Sequence, residues 1–589
     1  MIRKKIKELA IPRWRYQLVL LLLVCLPLAA LWHIAGLQVI SSADRGYQFL
    51  QGQGNARTVR TESIPAYRGL ITDRRGEPLA VSTPVVSLWA NPKVLDTTGK
   101  DFETLMGGLG LDIDQARERI ARYAGKEFMY LARHLTPAEA GRLLDLKVGG
   151  VYGQQEYKRF YPAGEVAAQL IGFTNIDDQG QEGIELAYEK ALAGDPGAKR
   201  VVKDMRGRVI KDVGLIESEK PGRDIALSID MRLQYLAYRE LKDAMKRFGA
   251  DSGSVVMLDV RSGEVLAMVN QPSYNPNNRI GANSNALRNR AMTDLVEPGS
   301  TMKPLTIAAA LESGKYGPHT PMDTNPGYIW VAGKTFRDHH NYGMLDITGV
   351  LTKSSQVGTT KVALDMEPAY LRGMFDRFGI GQPPGTGFPG ESAGSLPERR
   401  KYRPIEHITM AFGYGITATP LQIARAYSVF ANDGRLKPVS LLKVDKEPAG
   451  EQVLAPEIAR QLREMMVTVT QKGGTATRAA IDGYTVGGKT GTSHKVGPRG
   501  YEPNRYVSLF AGFVPADDPR LVTVVVINDP RGGTYFGGAV AAPVYAKVTA
   551  DALRLLRVPP DAVPETQVAG KLAGQALESA AAPARGDRW

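Results

Sequence analysis

From Leu18 to Leu37 the chain runs for 20 residues without an Asp, Glu, Lys or Arg. A helix of that length and polarity matches the hydrocarbon core of a bilayer. Arg3, Lys4, Lys5, Lys7, Arg13 and Arg15 precede it, opposed only by Glu8. The positive-inside rule then places residues 1–17 in the cytoplasm as a basic tail and everything beyond residue 38 outside. Trp14, Tyr16 and Trp32 suit the two interfaces. A cleaved signal peptide is the competing reading, with Ala29-Ala30 as a cleavage region. Leu28 occupies the position where cleavage wants a small residue, so a retained anchor over 18–37 is expected. Cys25, the single cysteine, excludes an internal disulfide. Val24 before it disfavours a lipoprotein signal.

The remaining length is enough for two or more domains. At 43% hydrophobic and 23% charged residues the chain reads as globular. Its net charge of +13 comes without zinc-finger spacing, an aromatic RNA-binding motif or a basic helix. Attraction to anionic lipid or an acidic polymer is therefore expected, and nucleic acid is not. The seven histidines show no H-E-x-x-H spacing, and the Asp338-His339-His340 cluster reads as a loop element. No metal or organic cofactor is indicated.

Residues 38–60 read as a polar stalk. Arg68–Ala80 reads as strand, turn and strand. Residues 99–150 look helical, as does Ile184–Ala193, and 194–224 is polar with Asp195-Pro196-Gly197 and Pro221-Gly222 as punctuation. A boundary near 222 separates a mixed α+β domain at 61–221 from a second domain at 222–557. The second opens with a helix near 231–247. Two apolar strand pairs follow, Ser254–Asp259 with Glu264–Val269 and Val507–Val514 with Leu521–Ile527, with helices such as 420–431 between them. Strands at both ends predict one antiparallel sheet flanked by helices, an α/β (α+β) fold. The Ala- and Pro-rich residues 558–589 read as a disordered tail.

Ser300-Thr301-Met302-Lys303 carries the chemistry. Serine needs a base within hydrogen-bond reach to be a nucleophile. Spacing of i and i+3 puts both side chains on one helix face. Pro298-Gly299 precedes the pair, and Pro304 and the apolar run Leu305–Leu311 follow it, so Ser300 should open a buried helix whose positive end favours an oxyanion. S-x-x-K alone is a chance-level motif, and a solvated surface helix is its bland reading. Ser354-Ser355-Gln356 and Lys489-Thr490-Gly491-Thr492 come after it in order. A second lysine nearby raises the cost of charging both, which allows Lys303 to be a neutral base.

S-x-x-K, S-x-N and K-T-G in that order mark penicillin-binding proteins and serine β-lactamases. From about residue 10 to 550 the chain resembles the class B penicillin-binding proteins, closest to the division-specific transpeptidases of Gram-negative bacteria. Arg68–Ala80, Arg159–Gly164 and Gly183-Ile184-Glu185 are similar to that family's non-catalytic boxes. Gly413-Tyr414-Gly415, Thr419–Gln422 and Tyr535–Gly538 are similar to segments that border its active site. Glu297 before Pro298-Gly299 resembles the division enzymes. The resemblance implies a transpeptidase domain at 222–557, a pedestal or dimerisation-type domain at 61–221, and a single-pass inner-membrane protein with its catalytic domain in the periplasm.

The resemblance also implies roles. Ser300 is the acylated nucleophile, Lys303 its base and Ser354 a proton relay. Gln356, Lys489, Thr490, Gly491, Thr492, Tyr414 and Glu297 are the substrate-binding set. The backbone N–H groups of Ser300 and Thr492 form the oxyanion hole. The substrates are peptidoglycan stem peptides, a D-Ala-D-Ala donor and a diaminopimelate acceptor, with β-lactams as covalent inhibitors. A SEDS-family glycosyltransferase and other division proteins of the membrane are the implied partners. A hydrolase and a non-catalytic scaffold on the same fold are the alternatives. An anchor and a full extra domain argue against the first, and intact Ser300, Lys303 and Lys489 against the second.

Gln356 departs from the family's Asn. It carries the same amide one methylene further out, and a displacement of about 1 Å in a positioning group can change rate on the order of a hundredfold. Either the backbone absorbs the difference or the substrate and β-lactam preference changes. Acylation by a fluorescent penicillin, compared between wild type and Gln356→Asn, decides between them: equal rates mark the departure as neutral, and a change of about tenfold or more marks it as functional.

Overall fold

The computed structural model describes residues 12–38, 47–203, 209–281, 283–497 and 500–562. The tail read at 558–589 falls almost wholly outside the described residues, as do most of the basic tail at 1–17 and residues 39–46 of the stalk. Arg13–Gln38 is one 26-residue helix with a mean hydropathy of 2.5 over its most apolar stretch and no buried residue. At 1.5 Å per residue it is ~39 Å long, enough to cross a bilayer.

The rest of the chain packs as two units that interleave along the sequence. One comprises residues up to Tyr67, Pro84–Tyr157 and Gly194–Pro221; the other comprises Arg68–Thr83, Lys158–Ala193 and the chain from Gly222 onward. The break at 221/222 is thus one of several crossings.

In the first unit, helices Lys100–Gly108, Ile113–Arg122 and Pro137–Leu144 close over a small core of Leu88, Phe102, Leu105, Ile120, Met129 and Leu131. The stretch 99–150 is not helical throughout: Met129–Leu135 is a strand paired with Val86–Ala90. Aromatic rings govern it, with Trp89 packing on Phe128 and Tyr152 at 5.0 and 4.6 Å. The polar stretch 194–224 holds two strands among its described residues. Gly197–Lys203 pairs with Val59–Ile64 on one side and Val209–Glu217 on the other. Polar side chains conceal strands in a sheet that buries little apolar surface. Within the stalk, Tyr47–Thr58 is a helix.

The second unit is built on a five-stranded antiparallel sheet. Its strands are β1 (Ser252–Asp259), β2 (Val265–Gln271), β3 (Gly487–Gly497), β4 (Gly500–Val514) and β5 (Leu521–Asn528), in the order β2-β1-β5-β4-β3. Both expected strand pairs are hairpins within it. Every residue of β1 and β2 is buried, the mark of a sheet covered on both faces. Val256, Leu258, Val522 and Val524 face one core; Val255, Met257, Val525 and Ile527 face the other. The second core is closed by helices α1 (Met231–Phe248) and α6 (Gly537–Leu555). Asp230 caps α1 through the N–H of Arg232, and Gly249 ends it in the left-handed region at φ 55°. The first core holds α2 (Lys303–Glu312), α3 (Gln356–Leu364), α4 (Pro420–Ala431) and α5 (Pro456–Thr470).

Three segments that the sequence shows as separate boxes meet in this unit at one buried ion network. Arg68 Nη2 lies 2.7 Å from both Glu185 Oε2 and Glu189 Oε2. Arg159 Nε donates to Glu185 Oε1 at 2.7 Å, and its Nη2 to the Gly69 carbonyl at 2.7 Å. Arg68 and Glu185 are at most 1% exposed. Removing Glu185 leaves the buried Arg159 without its carboxylate, while Arg68 keeps Glu189; breaking a buried pair in this way costs about 3–5 kcal/mol. Glu185→Ala should therefore lower the denaturant midpoint of the detergent-solubilised protein by that equivalent, whereas Lys93→Ala, at an exposed pair with Glu127, should leave the midpoint in place.

Candidate active site

Ser300 does not open an α-helix. It lies in a one-turn 3-10 segment, Gly299–Met302, that leads into α2. In 3-10 geometry i and i+3 eclipse, so Ser300 and Lys303 still project together. Gly299, at φ 56°, makes the turn, and its N–H donates to the Gly413 carbonyl at 3.1 Å. The Thr301 hydroxyl donates to the Pro298 carbonyl at 2.7 Å, and the Tyr427 hydroxyl to the Thr301 carbonyl at 2.7 Å. Ser300 is half-buried, while Lys303 is fully buried.

Lys303 Nζ donates to the Ser354 carbonyl at 2.7 Å, the Ser355 carbonyl at 3.2 Å and Ser354 Oγ at 3.3 Å. Lys489, fully buried on β3, donates to the same Ser354 Oγ at 3.0 Å. One hydroxyl thus sits between two buried ammonium groups. Ser354 holds φ 55°, the left-handed region, to turn its carbonyl and hydroxyl to this side. Burial brings Lys303 down to about 7 against the pull of the Asp338 carboxylate. Burial, and then the charge of Lys303, push Lys489 well below its usual range. The repulsion expected from the sequence acts on Lys489; Lys303 is lowered by desolvation alone.

Asp338 is a positioning residue that sequence reasoning set aside as part of a loop cluster. Its carboxylate accepts from the Ser355 hydroxyl at 2.7 Å, the Gln356 N–H at 2.5 Å and the Val357 N–H at 3.1 Å. Ser355 itself caps α3 through the Gly358 N–H. The first turn of α3 is therefore held by a carboxylate 18 residues upstream, where no local capping pattern reveals it.

The K-T-G segment lies on β3. The hydroxyls of Thr490 and Thr475 are 3.1 Å apart. Thr492 Oγ1 accepts from the Gly537 N–H at 3.0 Å, and its carbonyl from the Tyr414 hydroxyl at 3.2 Å. Burial, then the Glu297 charge, pushes the Tyr414 phenol up to about 12, so it stays a donor. Glu297 accepts from the Gly415 N–H at 2.8 Å and from the Tyr501 hydroxyl at 2.9 and 3.1 Å. All ten residues singled out from the sequence thus lie on the elements that meet here. Tyr535, in the bordering segment expected from the sequence, stacks at 3.8 Å on Tyr506, which the sequence did not single out.

A lysine brought down to about 7, three residues after a serine and sharing the Ser354 hydroxyl with a second buried lysine, suits activation of a nucleophile and binding of an anion. A family model described as "Penicillin binding protein transpeptidase domain" matches residues 253–550, and one described as "Penicillin-binding Protein dimerisation domain" matches 63–227. The chain is 43% identical to the "Peptidoglycan D,D-transpeptidase FtsI" of Escherichia coli K12 over 93% of each chain. The chain belongs to the penicillin-binding protein family. It is also 42% identical to the "Probable peptidoglycan D,D-transpeptidase PbpC" of Pseudomonas aeruginosa, over 93% of this chain and 96% of that one. Among solved structures it resembles the transpeptidase domain of Burkholderia pseudomallei penicillin-binding protein 3, with TM-score 0.53, 40% identity, and 57% of this chain and 98% of that one covered. A peptidoglycan synthetase from Bifidobacterium adolescentis gives TM-score 0.69 at 25% identity, covering 86% and 98%.

In this penicillin-binding protein Gly491 has a packing reason to lack a side chain. A Cβ at Gly491 would lie 2.8 Å from the Pro298 carbonyl oxygen and 2.9 Å from Thr301 Cγ2. The glycine lets β3 press against the turn that carries Ser300.

The pH dependence of acylation follows. With Lys303 as the expected base, its charged form below about pH 7 takes no proton from Ser300, so penicillin acylation should rise through about pH 7 to a plateau. Asp338→Asn removes the charge that raises Lys303, so the rising limb should move to lower pH. Asp338→Ala, which also frees the first turn of α3, should slow acylation on the order of a hundredfold. Stopped-flow acylation between pH 5 and 9 reads both effects.

Proposed function

We propose that this chain is a membrane-anchored peptidoglycan D,D-transpeptidase of the division septum. The observation that carries the reading is the placement of Ser354 Oγ 3.3 Å from Lys303 Nζ and 3.0 Å from Lys489 Nζ. Neutral Lys303 takes the Ser300 proton, and Ser300 Oγ attacks the carbonyl of the penultimate D-Ala of a donor stem. The N–H groups of Ser300 and Thr492 hold the oxyanion. The C–N bond breaks, Ser354 relays a proton to the leaving D-Ala, and an ester on Ser300 remains. An amine of a neighbouring stem, on diaminopimelate, then attacks that ester. It gives its proton back through Lys303, and Ser300 is released.

Lys489, Thr490 and Thr492 bind the terminal carboxylate of the donor, and the Gln356 amide its peptide backbone. A β-lactam follows the same first step, but its leaving nitrogen stays tethered. The helix Arg13–Gln38 is the single anchor of an inner-membrane protein, its N-terminus cytoplasmic by the basic residues before it. The catalytic domain at 222–557 is then periplasmic. Residues 61–221 serve as a pedestal that docks a SEDS-family glycosyltransferase and other division proteins.

Wild-type protein should label covalently with a fluorescent penicillin, and Ser300→Ala should not. Absence of label on the wild type would sink the reading. Incubation with stem-peptide substrates should give cross-linked dimers; free tetrapeptide alone would make the protein a hydrolase instead.

A further inference from the structure

The donor carboxylate has a seat at Lys489, but an acceptor stem also carries carboxylates, and no group described so far meets them. The loop before the Tyr414 segment does. Residues 397–406 hold four cations, Arg399, Arg400, Lys401 and Arg403, against the two acids Glu398 and Glu406. Beneath the loop lies a cavity of about 140 Å³, lined in part by Arg399, Tyr402, Glu406, Tyr414, Gly415 and Ile416. None of Ser300, Lys303, Ser354 or Lys489 lines it.

This cavity and the reactive serine share a wall. Gly413 accepts the N–H of Gly299, next to Ser300; Tyr414 reaches the Thr492 carbonyl; Gly415 donates to Glu297. On the cavity side, the Tyr402 ring is fixed by its hydroxyl on the Pro397 carbonyl at 2.8 Å. Arg399 Nη2 stands 3.8 Å from Glu406 Oε1, with 54% and 38% of the two side chains exposed. Such a loose, solvated pair contributes little. Glu406 is already committed to the Arg403 N–H at the start of helix Pro404–Ala411. The guanidinium keeps free donors in a fork that suits a carboxylate. Arg400 and Lys401 are exposed at the rim and add a local positive field.

We propose that this cavity and its basic rim bind a carboxylate of the acceptor stem peptide, with Arg399 as the principal contact. The assignment rests on the transpeptidase reading above. The site explains why an acceptor is held while the donor occupies the K-T-G strand: the two anions lie on opposite sides of the 413–415 wall. It also favours aminolysis over hydrolysis, because a bound amine near the ester competes with water at a high effective concentration.

The test measures partition of a thioester donor by full-length protein in detergent, with a diaminopimelate tripeptide and its carboxamide form as acceptors. In Arg399→Ala the KM for the anionic tripeptide should rise about tenfold, the loss of one charge-assisted hydrogen bond, and the share of hydrolysis should rise with it. The carboxamide acceptor should show the same KM in both proteins. The acylation rate by fluorescent penicillin, which needs no acceptor, serves as the folding control. An unchanged KM, or an equal rise for both acceptors, overturns the proposal. Should Arg399→Ala fail to fold, the wild type decides: its KM for the anionic tripeptide must rise with salt while that for the carboxamide does not, and equal salt responses overturn it. A wild type that takes no penicillin label fails the transpeptidase reading instead.

Discussion

Two ammonium groups buried around one serine hydroxyl set the terms for the rest of the catalytic unit. Burying a charge is unfavourable, and a lysine relieves it by giving up its proton. Lys303 comes down to about 7 from 10.5. At about 1.4 kcal/mol per unit, that withholds on the order of 4 kcal/mol from the folded state at pH 7. The sign follows from proton counting. Between the two values the unfolded chain binds more protons than the folded one, so the penalty is full below about pH 7 and fades as pH rises toward 10.5. The fold bears this because the two lysines lie against a sheet packed on both faces and a helix buried from Lys303 to Leu311. A smaller core would pull the lysines to the surface, where they would be charged and useless as bases.

Holding two lysines and a serine together needs backbone contact closer than side chains permit. Gly491 admits the turn that carries Ser300. A Cβ at Gly413 would lie 2.3 Å from the Gly299 carbonyl oxygen, and one at Gly537 would lie 2.4 Å from the Gly491 carbonyl oxygen. Three glycines from three distant segments thus lock β3, the serine turn and the start of α6 against one another. Rigidity of this kind is what a positioning site requires, since its groups act by being in place before the substrate arrives.

Much of this was legible in the sequence, and the failures share a cause. The sheet strands carry unbroken apolar runs, such as Val255–Leu258 and Val524–Ile527, so their period and length identify them. The S-x-x-K, S-x-x and K-T-G segments declare their chemistry by residue type. Strands Met129–Leu135 and Gly197–Lys203 were not legible, because their pairing and aromatic contacts, rather than apolar alternation, hold them. Asp338 was not legible either. A carboxylate that caps a helix from 18 residues away leaves no mark in the local pattern. Nor did Gly491 reveal that its neighbour is the protein's own turn. Sequence patterns report what a segment buries, whereas these features report which distant segment arrives beside it.

Position 356 shows how the two kinds of information combine. Gln356 is the first residue of α3, and its main chain is fixed at both ends: the N–H by Asp338, the carbonyl by the Thr360 hydroxyl at 2.7 Å. Its side-chain amide makes no hydrogen bond among the described residues, and the residue is half-buried. The longer side chain therefore strains neither the cap nor the helix, and Ser354 and Ser355 keep their places. What changes is reach. The amide stands one methylene further out than that of Asn, and the difference leaves the fold and the lysine pair untouched.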